Sequence, residues 1–220
     1  MTLESLPRPR SLTALILAGG KSRRMGRDKA LLQVQARPLL TQLIAAAENF
    51  AQSVQIITPW PDRYRKLVSP RTQFIVERNP AGPLQGFRQG LSAVSTPWVL
   101  LLACDLPFLT HAQLKLWLAQ IESSPTAIAY LPRSAKGWEP LCGFYRRDCA
   151  ASLAVYLEKF PSGSFQDWLK TQQVSELSVC DRKVLFNCNT PADYQRALSE
   201  QGDCGLSPQT ALPGSDQPAP

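Results

Sequence analysis

The chain has 220 residues, 44% of them apolar, and a formal net charge of +7. That length suits one well-cored domain. No stretch approaches the roughly 20 apolar residues needed to span a bilayer, and the opening MTLESLPRPR, with an acid, two prolines and no apolar run, does not read as a signal peptide. In chain order, residues 1–11 read as a disordered lead. LTALIL (12–17) is a short continuous apolar run, the pattern of a parallel strand covered on both faces. Leu39, Leu40, Leu43, Ile44 and Ala47 then form one helical stripe within 38–50. VQII (54–57) and QFIV (73–76) read as strands. Residues 84–94 carry Leu84, Phe87, Leu91 and Val94 at helical spacing, and WVLLLA (98–103) is another buried strand. Thr110 caps a helix with Leu114, Trp117, Leu118 and Ile121 inward. TAIAYL (126–131) and PLCGFY (140–145) read as strands, 147–159 as a helix and VLFN (184–187) as a last strand. TPAD (190–193) starts the final helix, with Thr190 as cap, Pro191 in the first turn and Asp193 closing a capping box. Residues 201–220, rich in Pro, Gly, Ser and Gln, read as a disordered tail. The alternation predicts one α/β domain over 12–200, an open, mostly parallel sheet with helices on both faces.

The cysteines (Cys104, Cys142, Cys149, Cys180, Cys188, Cys204) lack Cys-x-x-Cys spacing and have one histidine, His111, to join them. They read as thiols of a reducing cytoplasm rather than a zinc site or a disulfide framework. The net charge favours an anionic partner. Much of it is concentrated after the first strand, where Lys21, Arg23, Arg24, Arg27 and Lys29 fall within nine positions beside Gly19, Gly20 and Gly26. In open parallel sheets, ligands bind at the carboxyl ends of strands. Glycines there let backbone N–H groups approach an anion, and the cations supply counter-charge. GGKS is not a P-loop, because Leu15 stands where the first glycine would be, and the dinucleotide fingerprint G-x-G-x-x-G is absent. Asp105, ending an otherwise apolar strand before Pro107, reads either as a turn former or as a Mg²⁺ ligand.

Four ordered stretches carry a resemblance: LAGGKSRRMGRDKALL (17–32), GPLQGFRQGL (82–91), CDLPFL (104–109) and FNCNTPADY (186–194). Together they resemble the nucleotidyltransferase-fold enzymes of the molybdenum cofactor guanylyltransferase (MobA-like) type, over about residues 13–198. The resemblance implies a Rossmann-like nucleotidyltransferase fold. It implies transfer of GMP from GTP to molybdopterin, or Mo-molybdopterin, with Mg²⁺ and release of pyrophosphate in the cytoplasm. The nucleotide would meet Leu17, Ala18, Gly19, Gly20, Lys29, Arg78, Gly82 and Asp105. Arg24, Lys29 and Asp105 would be catalytic, with Asp105 on the metal. Asn187 and Asn189 would face the metal or the acceptor, or simply cap the last helix. Three positions depart from the family pattern: Thr58 and Glu139 replace other polar residues, and Arg78 stands where Asp is common. Trp138 reads as a core residue at a strand start or as a surface for a pterin. Molybdoenzymes or other cofactor-biosynthesis proteins would be protein partners; neither a nucleic acid nor a membrane would be one. The alternatives are a nucleotidyltransferase using CTP or a sugar phosphate, and a non-catalytic nucleotide- or RNA-binding module. The aromatics sit at core spacings, which disfavours RNA.

Overall fold

A computed structural model describes residues 11–20, 24–78, 80–121 and 126–200. The expected lead over 1–10, the tail over 201–220, and Lys21, Arg23 and Cys204 lie outside the described residues. The central sheet has seven strands in the order β11-β7-β10-β6-β1-β4-β5. These are β1 (Leu12–Leu17), β4 (Ser53–Thr58), β5 (Gln73–Val76), β6 (Trp98–Ala103), β7 (Ala129–Leu131), β10 (Cys142–Arg146) and β11 (Val174–Glu176). β1 pairs in parallel with β4 and β6, β4 with β5, and β7 with β11. Only β10 runs the other way, antiparallel to β6 and β7. The sheet is therefore mostly parallel, as the sequence predicts.

The apolar run of β1 is explained by two covered faces. Leu12, Ala14 and Ile16 enter one core, with α1 (Leu39–Glu48) and α4 (His111–Leu118) supplying Leu40, Leu43, Ile44, Leu114 and Trp117. Leu15 enters the other, with Phe87 from α3 (Pro83–Ser92), Leu153 from α5 (Cys149–Lys159) and Trp168 from α6 (Phe165–Leu169). Side chains alternate across a strand, so one hexapeptide feeds both layers. Each such fully buried side chain contributes about 1.5–3 kcal/mol of transfer free energy. α3 sits close to the sheet because Gly90 has no Cβ; one there would lie 2.5 Å from Ile57 and 2.8 Å from Leu15.

Several expectations need correction. VLFN is not a strand: Arg182–Leu185 is a 3₁₀ turn, capped by the Asp181 side chain, which accepts from the Lys183 N–H. That cap competes with extended structure, and β11 takes the sheet edge instead. The strand expected over 126–131 is confined to Ala129–Leu131, and the helix expected over 84–94 is Pro83–Ser92. The sequence reading misses the hairpin β2 (Gln33–Val34) and β3 (Arg37–Pro38), the short helix α2 (Pro61–Tyr64), the pair β8 (Arg133–Ser134) and β9 (Gly137–Trp138), α6 and β11. The hairpin and the last helix, α7 (Pro191–Ser199), close a third small core of Met25, Leu32, Val34, Leu39 and Cys188, against which Tyr194 packs. Tyr194 also donates from its hydroxyl to the Gln33 carbonyl at 2.8 Å. Among the described residues every cysteine is a free thiol; Cys142, Cys149 and Cys188 are buried and Cys180 is exposed.

Candidate active site

The strand order reverses at β1: the chain moves outward to β4 and β5, then returns to lay β6 on the other side. A crevice is expected at the carboxyl ends there. A cavity of about 350 Å³ occupies it. Its floor is Leu17, Ala18, Gly19 and Gly20; Arg24, Asp28 and Lys29 border it on the basic-loop side, and Ala103, Cys104 and Asp105 follow β6. Glu77, Pro80, Gly82 and Pro83 form the far wall, and Leu141 and Asn189 complete it.

Of the residues expected in the site, Leu17, Ala18, Gly19, Gly20, Arg24, Lys29, Gly82, Asp105 and Asn189 meet here. Arg78 and Asn187 do not. Arg78 is exposed and lines a second recess with Gln85 and Arg88; its neighbour Glu77, just beyond β5, borders both that recess and the cavity. The Asn187 amide folds back to donate to the Leu185 carbonyl at 3.0 Å. Arg27 is exposed and outside the cavity wall.

Lys29 is the hub. Its Nζ donates to Asp105 Oδ2 at 3.0 Å and to Asn189 Oδ1 at 2.6 Å, joining three stretches separated by up to 160 positions. Each partner is held from behind. Asp28 caps the turn carrying Lys29 by accepting the Ala30 N–H at 3.1 Å, and its other oxygen accepts the Tyr64 hydroxyl at 2.7 Å. Burial, then the hydrogen bond and charge of Asp28, push the Tyr64 hydroxyl well above its ordinary range, so it stays a donor. Asn189 and Thr190 donate their N–H groups to Asp193 Oδ2 at 3.0 and 2.8 Å, and Thr190 completes the expected capping box. The last helix thus aims Asn189 at Lys29. The Cys188 N–H donates to the Asp105 carbonyl at 2.9 Å.

Two expectations change in detail. Ala18 lines the cavity, but its backbone is engaged inside the fold: its N–H donates to the Ile57 carbonyl, and its carbonyl accepts the Thr58 hydroxyl at 2.9 Å. Thr58 is fully buried and serves this anchor. Gly19 and Gly20 are therefore the backbone surface that faces the cavity. Gly82, at φ +96°, is a backbone turn that opens α3 at the cavity wall. Trp138 is half-buried against the second core, with the Arg133 guanidinium 5.2 Å over its ring, and does not line the cavity.

Asp105 Oδ1 is buried without a hydrogen-bond partner. Asp28 has no such opening, since both its oxygens are engaged. Among the described residues no group of three or more His, Cys, Asp or Glu could hold a metal alone. A carboxylate oxygen left without a protein partner is the kind of ligand a cation shared with a phosphate can use. Cys104 adjoins Asp105, but burial and that carboxylate push its thiol well above the usual thiol range. It is a neutral wall group, not a nucleophile. Glu77 is the cavity residue that the sequence reading misses. It is 8% exposed, and burial raises its carboxyl above the ordinary value. The available signal was an acid directly after the apolar strand QFIV and before the GPL turn.

The arrangement is a glycine floor, a lysine, and an open carboxylate at a strand switch point. Residues 14–177 match the MobA-like NTP transferase domain. A probable molybdenum cofactor guanylyltransferase of Trichormus variabilis is 50% identical over 206 residues, covering 93% of this chain and 99% of the relative. A second, from Synechococcus elongatus, is 46% identical over 189 residues, 84% of this chain and 97% of the relative. The crystal structure of molybdopterin-guanine dinucleotide biosynthesis protein A from Archaeoglobus fulgidus shares the fold, with a TM-score of 0.71 at 21% identity over 86% of this chain and 98% of that one. With the four motifs converging on one cavity and the match extending across most of the chain, the protein belongs to the MobA-like NTP transferase family.

Proposed function

We propose that the protein transfers GMP from GTP to molybdopterin, or to its molybdenum-loaded form, and releases pyrophosphate. The observation that carries this reading is the Lys29–Asp105–Asn189 hub with an open Asp105 oxygen above a glycine floor. The guanylyltransferases similar to this chain over nearly their whole length support the choice of substrates. An acceptor phosphate oxygen bonds to the α-phosphorus, and the bond from that phosphorus to the β-phosphate bridge breaks. The acceptor phosphate is already ionised, so no general base is required. Direct in-line transfer needs no covalent enzyme intermediate either, and burial and the Asp105 charge hold the Cys104 thiol above its ordinary value, against its acting as a thiolate.

The protein's task is to align two anions and neutralise their charge. Gly19 offers its N–H to the phosphates. Arg24, exposed at the edge of the cavity, adds a guanidinium. Lys29 leaves Asp105 for the triphosphate and stabilises charge on the departing pyrophosphate. Asp105 would hold Mg²⁺ through Oδ1, and that ion would supply charge neutralisation and Lewis acidity at the phosphates. Asn189 keeps the Lys29 ammonium over the floor throughout. The setting we propose is the cytoplasm, with molybdoenzymes or cofactor-biosynthesis proteins receiving the product; among the described residues no helix is long and apolar enough to cross a membrane. The test is chromatographic detection of the molybdopterin–guanine dinucleotide from purified protein, GTP, Mg²⁺ and molybdopterin. Wild type forms it, and Asp105→Asn, correctly folded, forms it at least about 10²-fold more slowly. Near-normal turnover by the variant would remove Asp105 from the mechanism.

A further inference from the structure

Tyr64 lies outside the four stretches that mark the site in the sequence and is 1% exposed, yet its hydroxyl reaches the hub from beneath. The Thr58 hydroxyl sets this up. It accepts the Trp60 N–H at 3.1 Å, where α2 begins, and donates to the Ala18 carbonyl at 2.9 Å, at the cavity floor. α2 is thereby docked on the end of β1, and its last residue, Tyr64, enters the first core with Ala18 and Ala30. From there the hydroxyl lies 2.7 Å from Asp28 Oδ2 and 3.4 Å from the Ala18 carbonyl. It has one proton, and the carboxylate, nearer and charged, takes it. Arg63 also approaches Asp28 Oδ2, at 3.6 Å, but its side chain is 52% exposed and water screens it.

The carboxylate that Tyr64 grips sets the origin of the Lys29 side chain. Asp28 Oδ1 accepts the Ala30 N–H at 3.1 Å, and the Asp28 and Lys29 carbonyls accept the Leu31 and Leu32 N–H groups at 3.2 Å. Lys29 is the first residue of this three-residue turn, and Asp28 is its cap. Asp105 and Asn189 also hold the ammonium. Once the ammonium moves to a triphosphate, the Asp105 contact is given up. The backbone position fixed by Asp28 then governs where a flexible four-carbon stem can place its charge. A misplacement of about 1 Å is enough to cost about 10²-fold in rate.

We propose that Tyr64 is a positioning residue of the transfer reaction: its buried hydroxyl fixes the Asp28 carboxylate and, through the Asp28 cap, the point from which Lys29 reaches the phosphates. Without that proton, Asp28 Oδ2 is left to Arg63 and water on the exposed side, and the opposite oxygen is drawn off the Ala30 N–H. The kinetic consequence rests on the guanylyl-transfer reading of the same cavity, whereas anion affinity reports the same arrangement without turnover.

The test combines Tyr64→Phe, which removes only the hydroxyl, with Lys29→Ala and the double variant. Affinity for inorganic pyrophosphate is measured by titration calorimetry, kcat and KM for GTP with molybdopterin as acceptor, and Tm by scanning calorimetry. Pyrophosphate carries the charge that develops as the bond breaks, so its affinity should follow kcat. Tyr64→Phe should lower kcat and pyrophosphate affinity by about 5–10-fold each, with KM for GTP within about 3-fold of wild type. In the Lys29→Ala background the same substitution should change both by less than about 2-fold, because the lysine it positions is gone. A lowered Tm with kcat and pyrophosphate affinity at their wild-type values would overturn the proposal, since the hydroxyl would then be structural only. The full loss persisting in the Lys29→Ala background would overturn it too. Failure of wild type to use GTP, with the pyrophosphate coupling intact, would instead overturn the guanylyl-transfer reading.

Discussion

Lys29→Ala tests the hub in two currencies, stability and rate. Lys29 and Asp105 side chains are 18% and 13% exposed, so the pair is mostly but not fully withdrawn from water. Truncating Lys29 leaves Asp105 with neither oxygen paired, since Oδ1 already has no partner, and leaves Asn189 Oδ1 without its donor. Breaking a fully buried pair by removing one partner costs about 3–5 kcal/mol. Water entering an open cavity reduces that to about 1–3 kcal/mol, or about 3–10 °C in Tm for a chain of this size. The double variant Lys29→Ala/Asp105→Asn removes the stranded charge and should recover part of the loss. On activity, Lys29→Ala should lower kcat/KM for GTP by at least about 10²-fold, equal to about 2.7 kcal/mol of transition-state stabilisation. Arg27→Ala, exposed and away from the cavity, should cost less than about 5-fold. Calorimetry gives the first quantity and steady-state kinetics across a salt series the second. Equal, small effects at Lys29 and Arg27, each lowering the salt slope by about one, would refute the hub and favour a diffuse anion-binding surface.

The two asparagines should separate: Asn189→Ala loosens Lys29 and should lower kcat by about 10-fold, whereas Asn187→Ala should stay within about 3-fold, both read by pyrophosphate release. Gly143→Ala puts a Cβ 2.6 Å from the Tyr130 carbonyl oxygen in the middle of the sheet, and should destabilise by about 1–3 kcal/mol in urea unfolding; an unchanged midpoint would mean that β10 can shift freely. For Glu77, burial raises the folded carboxyl above its unfolded value, so the native state holds that proton more tightly and stability falls as pH rises through the folded value. Glu77→Gln in the nucleotide-free protein should therefore match wild type in Tm at about pH 4 and exceed it at about pH 7; a difference independent of pH would contradict the buried-carboxylate reading.

The parallel core was legible because each strand is a complete signal. LTALIL and WVLLLA are covered on both faces, so their apolar runs coincide with β1 and β6, while QFIV matches β5, an edge strand that is only partly buried. The hairpin at residues 33–38 was not, because Gln35 and Ala36 adopt φ of +54° and +58° with no glycine or asparagine to announce the turn. VLFN misled because a four-residue apolar run does not distinguish a strand from a turn that buries one side chain, here Val184. In the site, Lys29 was visible as part of the basic loop after β1 and Asp105 as a carboxylate closing the apolar run of β6. Their joint tether to Asn189 was not, since it depends on how the capping box of the last helix turns that amide. Arg78 was expected in the site and Glu77 was not considered: two charged neighbours in the loop after β5 carry no mark in the sequence of which one borders the cavity.

The central claim is guanylyl transfer at this cavity, and a substrate competition tests it most directly. Purified protein is given molybdopterin, Mg²⁺ and equal amounts of GTP, CTP, ATP and UTP, and the dinucleotide products are resolved by mass. The account predicts the guanine dinucleotide as the dominant product, with one pyrophosphate released per product, and loss of that product with Lys29→Ala. A dominant cytosine dinucleotide, or pyrophosphate release that does not depend on molybdopterin, would contradict it.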